Sequence, residues 1–292
     1  MRINDAFFIF TQYLLPQHFL SKIMHALTRC QIGWWKNLQI KGVIQHYGVN
    51  LADAVETNPK AYPSFNRFFT RALKTAARPI PDDANTIISP ADGAISQIGT
   101  LDGTAILQAK GKSFSVVDLL GGDIERATPF IGGSFATIYL SPKDYHRLHM
   151  PYAGQLKEMV HVPGRLFSVN PTTTENVPNL FARNERVAAI FETEIGYMAL
   201  VLVGAIFVAS IETVWHGVVT PPSSHAIRTW DYTRNPIHLK RGEEMGRFNM
   251  GSTIIAFFSK NSVCWSEKLT DDSPVLMGQI LGQITSSKPA TI

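Results

Sequence analysis

The chain has 292 residues, of which 45% are hydrophobic and 17% are charged. This composition supplies a substantial apolar core and excludes an intrinsically disordered chain, which is poor in apolar residues and rich in charge. The two cysteines, Cys30 and Cys264, lie far apart and outside any C-x-x-C pair, which argues against a disulfide framework and excludes a cysteine-rich zinc site. The formal net charge of +4 lies entirely in residues 1–50, because the acidic and basic residues of the remainder cancel.

The N-terminal fifty residues predict amphipathic helices and not a membrane-spanning segment. Apolar residues recur at helical spacing in two runs, at 20–27 and 40–47, and a turn carrying two tryptophans is predicted between them at 33–35. No run approaches the ~18 uninterrupted apolar residues of a spanning helix, and no signal-peptide cleavage site follows. Aromatic rings beside lysines suit the headgroup layer of an anionic bilayer, and the alternative is a helical cap on the protein's own core.

The rest of the chain changes from helical to β-type patterns. Helix is predicted at 64–69 and 71–74, and Arg78-Pro79 is expected to end it. From about residue 86, β-type runs are predicted at 94–98, 135–140, 155–162, 186–193, 197–208, 253–258 and 275–284, with a hairpin at Gly196. Helices first and strands later predict an α+β fold: N-terminal amphipathic helices followed by a mainly antiparallel β catalytic domain. We expect a helical membrane-associating region at 1–80 and a β-rich catalytic domain at 81–292.

The step Gly251-Ser252, at the head of an apolar β run, is a candidate for self-cleavage. An isolated Gly-Ser step is more often a loop. Glycine, however, permits the strained backbone that brings a serine hydroxyl against the preceding carbonyl. Attack there exchanges the amide for an ester, and elimination across the serine Cα–Cβ bond cuts the chain. Hydrolysis of the resulting dehydroalanine leaves a pyruvoyl group on the new N-terminus.

Such a reaction needs a base for the hydroxyl proton and a carboxylate that orients the base. The segment 140–151 contains two histidines, His146 and His149, and Asp92 follows Pro90 at the entry to a strand. A His-x-x-His pair can also bind a metal, but no third ligand lies at a recognisable spacing and H-E-x-x-H is absent. An Asp-Gly step after proline is also common in turns.

Several longer runs make the sequence recognisable as a family member. They are Pro90-Ala91-Asp92-Gly93, Tyr139-Leu140-Ser141-Pro142, Tyr145-His146-Arg147-Leu148-His149-Met150-Pro151, Val162-Pro163-Gly164, Phe167-Ser168-Val169-Asn170, Asn179-Leu180-Phe181-Ala182-Arg183-Asn184-Glu185-Arg186, Val203-Gly204-Ala205 and Glu244-Met245-Gly246-Arg247-Phe248. This set resembles the bacterial phosphatidylserine decarboxylases, which are pyruvoyl-dependent, self-processing proenzymes. The resemblance runs in order from about Phe65 to Phe258. Where that family usually has Leu-Gly-Ser-Thr, this chain has Met250 in place of the leucine, a swap that keeps volume and apolarity.

The resemblance implies roles for particular residues. Asp92, His149 and Ser252 form the self-processing charge relay, and the cut falls between Gly251 and Ser252. The products are a β chain of residues 1–251 and an α chain of residues 252–292, which form a heterodimer; whether two heterodimers assemble stays open. His146 is expected to take part in the decarboxylation, at proton delivery.

The resemblance also implies a cofactor, a substrate and a location. The cofactor is a covalent pyruvoyl group derived from Ser252, which forms a Schiff base with the amine of phosphatidylserine so that CO2 leaves and phosphatidylethanolamine is released. Arg183, Arg186 and Lys143 are candidates for the phosphodiester, without an assignment. The expected partners are phosphatidylserine and an anionic membrane surface, peripherally at the cytoplasmic face of the cell membrane, with no nucleic acid and no metal. The alternatives are an unprocessed lipid-binding protein and a pyruvoyl decarboxylase of a soluble amino acid.

Overall fold

The computed structural model describes residues 3–109, 111–206, 210–221, 226–250 and 252–285. The helices of these ranges are α1 (Ile3–Leu14), α2 (Gln17–Arg29), α3 (Gly33–Tyr47), α4 (Phe65–Phe69), α5 (Val116–Leu119), α6 (Ile124–Ala127), α7 (Pro171–Asn176) and α8 (Leu180–Arg183), with short 3-10 turns at Thr75–Ala77 and Thr128–Phe130. The strands are β1 (Thr86–Ile88), β2 (Gly93–Thr100), β3 (Ala105–Ala109), β4 (Lys112–Ser115), β5 (Ser134–Tyr139), β6 (Arg147–His149), β7 (Gly154–Val162), β8 (Arg186–Thr193), β9 (Gly196–Val203), β10 (Ile211–Thr213), β11 (Gly217–Val218), β12 (Arg228–Asp231), β13 (Ile237–Leu239), β14 (Glu244–Phe248), β15 (Thr253–Phe258), β16 (Val263–Trp265), β17 (Pro274–Val275) and β18 (Ile280–Ile284). The predicted α+β class, with helices before a mainly antiparallel β domain, is confirmed.

A nine-stranded antiparallel sheet forms the centre of the protein. Its order is β12-β7-β8-β9-β15-β5-β2-β17, with β13 also paired to β7. The hairpin predicted at Gly196 is β8–β9, in which Thr193 pairs with Gly196. Strand β15 is buried along its whole length and lies between β9 and β5. Such a run of apolar residues is typical of a strand covered on both faces. Because Ser252 directly precedes β15, it lies at the end of a central strand.

Three smaller antiparallel sheets surround the large one. The four-stranded sheet has the order β11-β10-β14-β6 and ends in the strand that carries His149. The three-stranded sheet β1-β18-β16 joins the C-terminal strand to the segment that leads into Asp92. Strands β3 and β4 form a hairpin of their own. The four-stranded sheet therefore positions His149, and the three-stranded sheet positions the segment that leads into Asp92.

The N-terminal helices pack on the β domain through polar side chains. Gln17 donates from Nε2 to the Gln12 carbonyl at 2.7 Å and accepts from the Leu166 amide at 2.9 Å. The side-chain oxygen of Gln12 accepts from the Ser168 amide at 2.7 Å. Most of the large apolar side chains of α1 and α2 point the other way: Phe7 is 69% exposed, whereas Ile9 packs against the core. These helices are amphipathic with the usual polarity reversed.

Two local predictions are wrong. The turn at 33–35 is instead the first turn of α3, in which the Trp35 indole donates to the Leu27 carbonyl at the end of α2. Residues 71–74 are not helical: α4 ends at Phe69, and Leu73 forms a β-bridge with Ala54. The strand predicted at 275–284 is divided into β17 and β18. Of the run 197–208, β9 covers the part up to Val203, and residues 207–208 lie outside the described ranges.

Candidate active site

Ser252 is fully buried in front of the central strand β15. Its backbone carbonyl accepts from the Leu140 amide at 2.8 Å, which fixes it beside the end of β5. Its hydroxyl has no hydrogen-bond partner among the described residues. Buried hydroxyls in folded proteins are nearly always paired, so this one is an exception that calls for a reason. Gly251, the other half of the predicted cleavage site, lies outside the described residues.

Asp92 is buried at the entry to β2 and has two partners. The guanidinium of Arg78 donates to both carboxylate oxygens, from Nε at 2.9 Å and from Nη2 at 2.5 Å, and the Met277 amide donates to Oδ1 at 2.8 Å. Arg78 also donates to Asp53 at 3.0 Å. The hydrogen bonds to Asp92 raise the pKa of Arg78, so this cation stays charged. The carboxylate is therefore held in one orientation by a bidentate pair.

His149 lies at the end of β6, and two hydrogen bonds orient its side chain. Nδ1 donates to the Gly242 carbonyl at 2.8 Å, because a carbonyl can only accept. Burial lowers the pKa of His149, so the ring is neutral at physiological pH and Nε2 carries a lone pair. The Tyr145 hydroxyl, whose pKa is raised to about 12 by burial, donates to that lone pair at 3.1 Å. His149 is thus a neutral base whose acceptor nitrogen, Nε2, is hydrogen-bonded to Tyr145.

His146 is the more deeply buried of the two histidines. Its Nδ1 donates to the Asp144 carbonyl at 2.8 Å, and its ring lies 4.1 Å from the ring of Phe69. Burial lowers the pKa of His146 to about 3. Its Nε2 therefore carries a lone pair, and no described residue donates to it. The ring is a neutral, uncapped acceptor in an apolar setting.

The predicted relay residues lie in neighbouring segments, but their side chains do not bond to one another among the described residues. The His149 amide donates to the Pro90 carbonyl at 2.8 Å, which brings the histidine beside the segment that carries Asp92. The Asp92 carboxylate is bound by Arg78 and the imidazole by Tyr145 and Gly242. A direct chain from carboxylate to imidazole to hydroxyl is therefore not formed in this structure.

Helix α4 covers the residues that precede the predicted cut. The side-chain amide of Asn66 donates to the backbone carbonyl and to the side-chain oxygen of Asn249, at 3.1 and 3.0 Å. Met250 packs against an apolar cluster that includes Phe68 and Phe69. Met250, the departure from the family pattern, therefore fills an apolar site as leucine would. The cleavage segment is held by the N-terminal part of the chain on one side and by the sheet on the other.

Two of the three basic candidates for the phosphodiester have other partners. Arg186 is 2% exposed and donates to four backbone carbonyls, those of Leu119, Ala182, Asn184 and Asp118. Arg183 lies over the rings of Tyr13 and Phe167, where it anchors α1. Lys143 remains exposed beside a cavity near Asp92.

Sequence reasoning missed three side chains of this site. Arg78 was visible only as the residue before a proline, Tyr145 as part of a longer run, and Arg71 as part of a predicted helix. The partner of Arg71 lies far along the chain, since this side chain donates to the Lys143 carbonyl, 72 residues away. The only signal available was the clustering of Tyr145 with His146 and His149 in one segment.

Comparison with known proteins gives consistent results. A family model described as phosphatidylserine decarboxylase matches residues 65–283, and one described as PSD matches residues 7–48. The chain is similar to proteins named phosphatidylserine decarboxylase proenzyme from Stutzerimonas stutzeri, at 53% identity over 99% of this chain and 98% of the relative, and from Ectopseudomonas mendocina, at 57% identity over 96% and 99%. A relative of the same name from Bordetella pertussis is 55% identical over 96% of this chain and 95% of its own length.

Proposed function

The chain belongs to the phosphatidylserine decarboxylase family, and from this premise we propose that it cleaves itself before Ser252 and then decarboxylates phosphatidylserine. The observation that carries the proposal is the buried hydroxyl of Ser252, which no described residue binds. Four buried hydroxyls of the described residues lack a partner, those of Ser21, Thr137, Ser252 and Thr253, and of these only Ser252 follows a glycine. An unpaired hydroxyl directly after a glycine is available for attack on the preceding carbonyl.

The cleavage proceeds in balanced steps. Ser252 Oγ bonds to the carbonyl carbon of Gly251 while the peptide C–N bond breaks, which gives an ester and a free amine. Removal of the α-hydrogen of Ser252 then expels Gly251 as a carboxylate and leaves dehydroalanine. Water replaces the nitrogen, which leaves as ammonia, and the new chain begins with a pyruvoyl group. The products are a β chain of residues 1–251 and an α chain of the 41 residues 252–292, held together as a heterodimer.

His149 and Asp92 serve the first of these steps. The lone pair of neutral His149 lies on Nε2, and this atom takes the hydroxyl proton of Ser252. The Tyr145 hydroxyl must give up its bond to Nε2 before a direct transfer from Ser252 can occur. Asp92 stabilises the imidazolium that forms, and Arg78 fixes the position of the carboxylate.

The residues around position 252 fit a pyruvoyl group, because they enclose a small side chain and keep it fully buried. When formed, this group supplies the electron sink for the electron pair released with CO2. His146 delivers a proton to the α-carbon of the substrate. The atom that takes up and passes on this proton is Nε2, which no described residue binds.

The location that we propose is the surface of an anionic membrane, at its cytoplasmic face. No helix in the described ranges is long and apolar enough to span a bilayer. On α1, Phe7, Phe10 and Leu14 share one face and are 69%, 59% and 70% exposed. All of the net positive charge of the chain lies in residues 1–50. An exposed apolar face in a basic region is typical of a helix that lies in the headgroup layer, which supports peripheral docking.

The test compares fragments and activity on the same preparation. We expect the wild-type chain to give two fragments on a denaturing gel, and the mass of the smaller one to match residues 252–292 with a pyruvoyl end. Ser252→Ala should remain a single 32.4 kDa chain, because it has no nucleophile, and His149→Ala should remain uncut for want of a base. Ser266→Ala, in the same fragment, is the matched control and should be cut normally.

Release of CO2 from phosphatidylserine separates the remaining alternatives. A cleaved protein that releases CO2 from a soluble amino acid but not from phosphatidylserine would contradict the proposed substrate. An uncut wild-type chain that binds phosphatidylserine vesicles without releasing CO2 would identify the lipid-binding alternative. Normal cleavage of Ser252→Ala would overturn the assignment of the nucleophile.

A further inference from the structure

A cavity of about 180 Å³ opens beside Asp92. Its walls come from the segment after α3, from the segment after α4 and from the loop between β5 and β6. Three cationic side chains line it: Arg71, Arg78 and Lys143. Three carboxylates, Asp53, Asp92 and Asp144, line it as well. The cavity is therefore polar and suits a charged headgroup, not an acyl chain.

Arg71 is the one cation of this set with buried N–H donors that no described residue binds. Its side chain is buried, with 5% of the residue exposed, and Nη2 donates to the Lys143 carbonyl at 2.8 Å. Nε and Nη1 are buried without an acceptor in the described part of the chain. A guanidinium keeps its charge at any physiological pH, and a buried donor left unpaired costs about 1–3 kcal/mol. Burial also lowers the pKa of Arg71, the direction expected of a cation that lacks a close counter-ion.

The carboxylates of the cavity are held by other groups. Asp92 and Asp53 are both bound by Arg78. The carboxylate of Asp144 accepts from the amide and the hydroxyl of Ser141, each at 2.7 Å. None of the three accepts a hydrogen bond from Arg71 among the described residues. The guanidinium therefore keeps two donors that no described residue binds, in a residue that lines the cavity.

This guanidinium lies next to His146. Nη2 of Arg71 is 3.4 Å from the Asp144 carbonyl that also accepts from His146 Nδ1. The aromatic neighbours come from one helix: Phe68 lies under the Arg71 guanidinium and Phe69 against the His146 ring. An anion on Arg71 is thus held close to the group to which we assign proton delivery. In a serine phosphodiester, one oxygen and one methylene separate the phosphorus from the α-carbon.

We infer that Arg71 binds the phosphodiester of the lipid headgroup, with Lys143 adding a second positive charge at the mouth of the cavity. This inference rests on the proposed function, whose substrate contains that group. The phosphodiester fits better than the carboxylate of the same headgroup. A guanidinium paired with the departing carboxylate would stabilise the reactant more than the transition state, because the negative charge leaves that position during the reaction.

The experiment measures decarboxylation in detergent mixed micelles, which separates headgroup binding from docking of the helices. Arg71→Gln should raise the KM for phosphatidylserine by about tenfold to a hundredfold, the loss expected for charge-assisted hydrogen bonds. Phosphatidylethanolamine retains the phosphodiester and lacks the carboxylate, so its inhibition of the enzyme should weaken by a similar factor. Arg71→Lys should recover part of both losses.

The controls keep the test decisive. Arg67→Gln changes an exposed arginine of α4 and should leave KM and inhibition unchanged. Arg71→Gln should still cut itself, since cleavage needs no substrate. A wild-type KM in Arg71→Gln would overturn the inference, as would weaker use of phosphatidylserine with undiminished inhibition by phosphatidylethanolamine, which indicates a carboxylate site. Loss of cleavage in both Arg71 variants would also overturn it, by showing a structural role.

A different result would contradict the proposed function: a wild-type enzyme that releases no CO2 from phosphatidylserine. In that case Arg71 is judged by equilibrium binding of phosphatidylethanolamine in neutral micelles. Binding that Arg71→Gln abolishes and Arg67→Gln leaves intact would still support the phosphodiester site. Equal binding by both variants would reject it.

Discussion

The N-terminal helices and the central sheet bury opposite kinds of side chain. Strands β9 and β15 bury apolar residues, whereas α1 and α2 bury Gln12, Gln17, Ser21 and Thr28 and leave their large apolar residues exposed. Removal of apolar surface from water therefore stabilises the sheet domain. Hydrogen bonds from buried polar side chains attach the helices to the β domain. Most of their apolar surface stays exposed and is available for contact with lipid. The two regions have the compositions expected for chemistry in one and lipid contact in the other.

The largest expected effect removes the apolar face of α1. Phe7→Ser, Phe10→Ser and Leu14→Ser together should lower partition onto anionic vesicles by about a thousandfold or more, since burial of each such side chain is worth roughly 1.5–3 kcal/mol. Flotation measures the partition, and high salt should weaken wild-type binding further by screening the basic residues. Cleavage before Ser252 should continue, because the variant leaves the sheet intact.

A matched variant sharpens this comparison. Ile124, Val214 and Val218 lie outside the N-terminal helices and are 55%, 49% and 50% exposed. Their joint replacement by serine should leave flotation unchanged. Equal losses from the two triple variants would mean that the helices have no special part in docking.

The second prediction compares one buried residue from each region in the uncut Ser252→Ala chain. Ile254→Ala empties a site in β15 and should lower the free energy of unfolding by about 2–5 kcal/mol. Gln17→Leu leaves the Leu166 amide and the Gln12 carbonyl unpaired and should lower the free energy of unfolding by about 1–3 kcal/mol. Urea unfolding followed by circular dichroism measures the first.

Hydrogen exchange tests where the second effect lies. In Gln17→Leu, faster exchange should be confined to α1, α2 and the amides near Leu166. Exchange that rises throughout the sheet would show that the helices and the sheet unfold as one unit.

The smallest expected effect is a pH dependence that comes from the sheet domain. Native His146 titrates at about 3 and an unperturbed histidine at 6.5, so the unfolded chain binds one more proton between these values. The stability from keeping this ring neutral is complete above pH 6.5 and is lost as the pH falls toward 3. Between pH 7.5 and 5 the loss is about 2 kcal/mol. In the Ser252→Ala background, His146→Gln should show a correspondingly shallower decline in unfolding free energy; an unchanged slope would contradict the assignment.

The sequence predicted what periodicity and local composition determine. Strands such as β8 and β9 were predictable because alternating or continuous apolar runs end at glycine or a turn. The start of α3 was not predictable, since the helix has no capping side chain and depends on a contact between Trp35 and the preceding helix.

The contacts that organise the candidate site were beyond sequence reasoning for a related reason. The Met277 amide reaches Asp92 from 185 residues away, and Arg186 donates to the carbonyls of Leu119 and Asp118, which lie 67 and 68 residues before it. No spacing rule connects such positions, because the pairing arises only when the sheets assemble. Reversed amphipathicity has the same origin: periodicity shows that a helix has two faces but not which of them meets the protein.

The position of β15 has a consequence for the cut protein. If the chain is cut before Ser252, the small fragment begins with a strand that is paired along six residues with β5 on one side and along six with β9 on the other. Its later strand β18 lies between β1 and β16. The fragment is thus an internal part of the fold, and it can dissociate only when the sheet opens. Maturation would then leave two chains that share one folding transition, and the 41-residue piece, once released, would have no core of its own to refold around.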